Sequence, residues 1–127
     1  MTDDHQLGLL AANLVRTYRH QFYIYSGIMA EAVDEKTSIP RKRQLILHLL
    51  HKKRFVKKPL PHSIALFFYR LNEAHNALKT GFFRRRRPDL HRCQEKLHKA
   101  VEKLHIILEE DRFIEEIKTI LQHKHRH

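Results

Sequence analysis

The chain has 127 residues, enough for one domain with a single hydrophobic core and too few for two. Three glycines, four prolines and 42% hydrophobic residues exclude a disordered or collagen-like chain and point to a folded, mainly helical one. A formal charge of +11 at pH 7 points to anionic partners, while a single cysteine excludes an intramolecular disulfide and a thiolate zinc site and fits a reducing compartment.

Residues 4–35 have the spacing of one long helix. Leu7, Ala11, Leu14, Tyr18, Phe22, Tyr25, Met29 and Ala32 recur at intervals of three and four, and Asp3 or Asp4 supplies the N-cap. Val15, Tyr23, Ile24, Ile28 and Val33 fall outside that stripe and imply more than one neighbour. Thr37, Ser38 and Pro40 break the helix and start another over 39–57, with Leu45, Ile46, Leu49, Leu50 and Val56 turned inwards. Pro59-Leu60-Pro61 ends it. A third helix is expected over 61–80, closed by Gly81 as a left-handed cap, and its IALFFY segment (Ile64 to Tyr69) is apolar on every side, as a core element would be.

A fourth helix opens at Pro88 and Asp89. Leu90, Leu97 and Leu104 take one seam position of a seven-residue repeat, and Cys93, Ala100 and Ile107 the other. Asp111 stands where the next seam leucine belongs, so a kink is expected near 109–112, after which Phe113, Ile114, Ile117, Ile120 and Leu121 resume the apolar face. The fold expected is all-α: an antiparallel four-helix bundle, one domain over 1–122, followed by a frayed basic, histidine-rich tail over 123–127. No apolar run approaches the roughly 18 residues a membrane span needs, and the first residues, MTDDHQ, lack a basic signal region. A cytoplasmic protein is the expectation, with the membrane surface the least favoured partner.

Charge is unevenly distributed. Residues 36–72 carry ten basic side chains and no carboxylate, whereas residues 1–35 carry two basic and five acidic ones. A generic solvated surface mixes its signs, so this stretch suits a polyanion. In an antiparallel bundle the start of the second helix lies at the end where the third finishes. Arg41, Lys42 and Arg43 are thus expected beside Arg84, Arg85, Arg86 and Arg87. Lys52, Lys53, Arg54, Lys57 and Lys58 extend the charge as a stripe. Phe82 and Phe83, next to the arginines, are candidates for stacking unpaired bases, with closure of the bundle end as the equal alternative. Four arginines in a connection do not suit a major-groove reader, so RNA is favoured over duplex DNA.

Helical HEPN-type ribonucleases carry an arginine followed, after four to six residues, by a histidine, and Arg84, Arg85 and Arg86 stand in that relation to His91. That resemblance implies phosphate polarisation by Arg86, proton transfer by His91 and a dimer. The same spacing recurs at Arg41 and Arg43 with His48, Arg70 with His75 and Arg92 with His98, and so weighs little. His91, His98 and His105 lie about 10 Å apart along one helix and cannot share a metal ion. Neither a metal nor a cofactor site is expected. Cys93, on the seam, reads as a buried, inert thiol. The function expected is a non-enzymatic nucleic-acid-binding bundle, an accessory to a larger ribonucleoprotein or enzyme, similar in size, charge and helicity to the small helical accessories of retroelement reverse transcriptases and CRISPR effectors. A homo-oligomer is expected from the surplus apolar surface on the first and third helices. The alternatives are a chaperone or adaptor bundle for an acidic protein and the ribonuclease.

Overall fold

A computed structural model describes residues 4–80 and 87–125. The described residues are all-helical, in five helices: α1 (Asp4–Val33), α2 (Ile39–Lys52), α3 (His62–Ala77), α4 (Leu90–Glu109) and α5 (Asp111–His125). A 3-10 turn (Lys53–Phe55) follows α2, and the described residues contain no strand.

The 30 residues of α1 span about 45 Å and give the molecule its long axis. Ala11, Val15, Tyr18, Phe22, Tyr25, Met29 and Ala32 form its buried face. The chain then folds back on itself, with Ser38 Oγ accepting from Arg41 N as the α2 N-cap. α3 and α4 form the most extensive helix pair, joined at one end by Asp89 N donating to Ala77 O at 2.8 Å. α4 runs antiparallel to α1: Gln94 Nε2 donates to Val33 O near one end, and Arg19 Nε to Ile107 O near the other. The centre is aromatic, with Phe22, Phe67 and Phe68 mutually edge-on at 5.2–6.0 Å between ring centroids.

The expected four-helix bundle becomes five helices because the fourth expected helix is two. Glu110 is extended (φ −94°, ψ 142°), and α5 restarts at Asp111, inside the 109–112 window. Arg19 holds the break, its Nε donating to Ile107 O at 2.9 Å and its Nη2 to Glu110 O at 3.0 Å. α5 packs along the first half of α1, where Phe113 meets Tyr18 edge-on. It continues to His125, past the expected end at 122.

Other helix boundaries also differ from the expected ones. α1 stops at Val33 rather than 35, because Lys42 and Gln94 take the last carbonyls. α2 stops at Lys52 rather than 57: Val56 is extended and buried, and Tyr18 Oη donates to Lys57 O at 2.8 Å, tying the following turn to α1. α3 ends at Ala77 rather than 80, and the expected cap at Gly81 lies outside the described residues. The apolar segment of α3 is not buried on every side, since Ala65 and Tyr69 face outwards. On α4, Cys93, Leu97, Ala100, Leu104 and Ile107 are buried as the seam requires, while Leu90 is exposed.

Candidate nucleic-acid interface

All but Lys36 of the basic residues of 36–72 fall into two groups. One is spent on the fold. Arg41 forms a two-pronged pair with Glu31, Nε to Oε2 at 2.6 Å and Nη2 to Oε1 at 3.1 Å; this hydrogen bonding holds the Glu31 carboxyl below its ordinary value. Lys42 is buried, and Nζ donates to Ala32 O at 2.7 Å and to Asp34 O at 2.5 Å. Burial pulls its ammonium below the ordinary lysine value. Arg43 Nη2 donates to Leu78 O at 2.9 Å. Lys42 and Arg43 thus cap the C-termini of α1 and α3, where carbonyls lack partners and the helix dipole favours a cation. Arg70 and Lys96 share Glu73 at 2.6 and 3.3 Å.

Expecting Arg41, Lys42 and Arg43 at the end where α3 finishes was correct in topology. The Arg43 bond and the Asp89 bond bring that end together with Arg87, which is exposed. The surface chemistry differs: the Lys42 ammonium points into the protein and offers nothing to a phosphate. Phe82, Phe83, Arg84, Arg85 and Arg86 lie outside the described residues. His75, at the same end, is held below the ordinary histidine value by burial first and then by Lys79 and Arg43.

The second group is Lys52, Lys53, Arg54, Lys57 and Lys58. None of the five has a carboxylate partner among the described residues; Lys52 is half-buried and the other four are exposed. Two of them, Lys52 and Arg54, lie against Phe55, which is 60% exposed. The Arg54 guanidinium lies 4.8 Å from the ring centroid, Lys52 Nζ 5.6 Å, and the His51 ring meets it edge-on at 6.4 Å. The short 3-10 turn presents Phe55 outwards while Val56 plugs inwards, so the cations project from an anchored turn.

Two hollows flank this turn. One, of about 350 Å³, is lined by Leu50, His51, Lys53, Arg54 and Lys58. The other, of about 380 Å³, lies between α2 and α3 and is lined by Leu50, Lys53, Ala65, Phe68, Tyr69 and Asn72. Lys53 and Leu50 belong to both. Phe55, Tyr69 and Asn72 were not among the residues singled out in the sequence. For Phe55 the signal was present, an aromatic inside KKRFVKK. For Tyr69 it was the one hydroxyl in an otherwise apolar run.

Between α1, α4 and α5 lies a larger, mostly apolar groove of about 830 Å³, whose lining combines apolar Val15, Tyr23, Leu108 and Ile114 with Arg16, Arg19, His20, Lys118 and one carboxylate, Glu109. Among the described residues no group of three or more His, Cys, Asp or Glu side chains is arranged to hold a metal ion. His91, His98 and His105 are all exposed on α4. Cys93 is fully buried, and burial pushes its thiol up to about 11. No described helix is long and apolar enough to cross a membrane. No protein family, curated protein or solved structure matches the chain.

Proposed function

We propose that this chain is a non-enzymatic nucleic-acid-binding protein, an accessory or assembly factor that docks RNA in preference to duplex DNA through phosphate contacts. The observation that carries the reading is the carboxylate-free set Lys52, Lys53, Arg54, Lys57 and Lys58, two of which, Lys52 and Arg54, lie against exposed Phe55. Arg87, preceded in the sequence by Arg84, Arg85 and Arg86, adds charge at the other end of α3. Cations on a turn and an interhelical connection track a flexible backbone better than they read a major groove.

Five cations that each neutralise one phosphate give a salt slope of about −3.5 on a single strand. Replacing Lys53, Arg54, Lys57 and Lys58 with serine should reduce that slope by roughly 3 and leave helicity unchanged by circular dichroism. RNA affinity of the wild type that does not change between about 50 and 500 mM salt would sink the proposal. A companion variant with serine at Arg84, Arg85, Arg86 and Arg87 tests whether the connection belongs to the site.

A second reading, a protein-interaction bundle for an acidic partner, is supported by the apolar groove along α1, whose lining includes Arg16, Arg19, His20 and Lys118 against the single carboxylate of Glu109. It gains if the purified protein carries no nucleic acid and its absorbance at 260 nm is unaffected by high salt.

A further inference from the structure

The geometry points to the hollow between α2 and α3 as a seat for one unpaired nucleobase, stacked on Tyr69 with its edge toward Asn72, while Lys53 takes the adjoining phosphate. The inference rests on the proposed nucleic-acid binding and names its substrate class: single-stranded rather than paired.

Three observations carry it. Tyr69 is 56% exposed although it ends the most apolar segment of the chain, and an aromatic so placed gains nothing for the core. The hollow beside it has an apolar floor in Ala65 and Phe68 and a polar edge in Asn72, whose amide carries both donors and acceptors for a base edge. Its other wall is Lys53, which also lines the cationic hollow with Arg54 and Lys58. An aromatic platform, an amide and a phosphate-binding cation are thus contiguous. The nearest carboxylate along α3, Glu73, is occupied by Arg70 and Lys96, so it adds little repulsion. The Arg70 guanidinium lies over one face of the Tyr69 ring, 5.5 Å from its centroid, and is held there by its bond to Glu73, so the base stacks on the other face. Bases inside a duplex cannot reach such a platform, because both their faces are already stacked.

The test compares a single-stranded RNA with a perfectly paired duplex of the same sequence by fluorescence anisotropy at one salt concentration. The wild type should bind the single strand more tightly. Tyr69→Ala should weaken single-strand binding about 5- to 150-fold, the range for loss of one stacked base, with the salt slope and duplex affinity unchanged. Tyr69→Phe should restore it. A Tyr69→Ala protein that stays folded and binds the single strand within twofold of wild type overturns the inference, as does an equal loss on both probes; salt-dependent wild-type binding would in that case leave the proposed function standing. Failure of the wild type to bind either probe overturns both.

Discussion

The Lys42 ammonium donates to Ala32 O and Asp34 O from a side chain only 1% exposed. A cation there closes Ala32 O, which α1 cannot satisfy itself, and adds a second donor to Asp34 O, which also accepts from Thr37 N; its loss leaves Ala32 O buried and unpaired. Lys42→Met keeps the aliphatic stem and should cost about 1–3 kcal/mol in urea unfolding, with no change in RNA affinity. An affinity loss with stability intact would return Lys42 to the binding surface. Cys93 makes the complementary case. Its thiol sits at about 11, so at pH 8 the native protein should resist Ellman's reagent until it unfolds. Because its folded pKa is raised, the native state holds a proton that the unfolded chain sheds above about pH 9. The Cys93 contribution to stability is therefore full below pH 9 and falls as pH rises towards 11. The decline of stability over that window should be shallower in Cys93→Ala, measured against wild type.

At the scale of elements, the C-terminal ends of α1, α3 and α4 are each completed by another helix. Arg19 of α1 closes the end of α4, Lys42 of α2 the end of α1, and Arg43 of α2 the end of α3. The first turn of α3 is capped from α5: Glu116 accepts from Ser63 N at 2.8 Å and from Ser63 Oγ at 2.5 Å. A carboxylate at a helix N-terminus also suits the dipole. Glu116→Ala should cost about 0.5–2 kcal/mol in urea unfolding, the range for a lost N-cap, whereas Glu115→Ala, on the exposed face, should cost little. Equal effects would mean that α5 does not cap α3. Helix existence was legible from apolar spacing, and the α4–α5 break from the misplaced Asp111. Helix ends were less legible, because the groups that stop α1 and α3 lie 8 to 61 residues away in sequence.

For the whole molecule, nine of the ten basic residues of 36–72, all but Lys36, divide by what the fold leaves near them. Arg41, Lys42, Arg43 and Arg70 face carboxylates or carbonyls, and the five at 52–58 face solvent without acidic partners. The expected stripe from Arg41 onwards is thereby weakened at its first residues. The proposed binding face concentrates at the α2–α3 turn, while Arg87 stands at the opposite end. Self-association belongs to another side. Leu9, Leu10, Tyr23 and Ile24 are all exposed, and four turns of helix, roughly, separate the first pair from the second, placing them on one side of α1. Exposed apolar groups gathered in this way mark an interaction surface. Light scattering should give a mass that is a multiple of 15.3 kDa, and Tyr23→Lys with Ile24→Lys should return it to the monomer. A wild-type monomer would remove the proposed homo-oligomer.

Sequence alone determined that the chain is helical, where its apolar faces lie, that α4 would break near 110, and that positive charge would crowd its middle. Those properties are local: they follow from the spacing of side chains along one helix and from composition. Which cations remain on the surface was decided only by tertiary structure. A lysine has the same charge in the sequence whether it ends against a carbonyl or in water, and only packing brought Lys42 to the end of α1 and left Lys53 beside Tyr69.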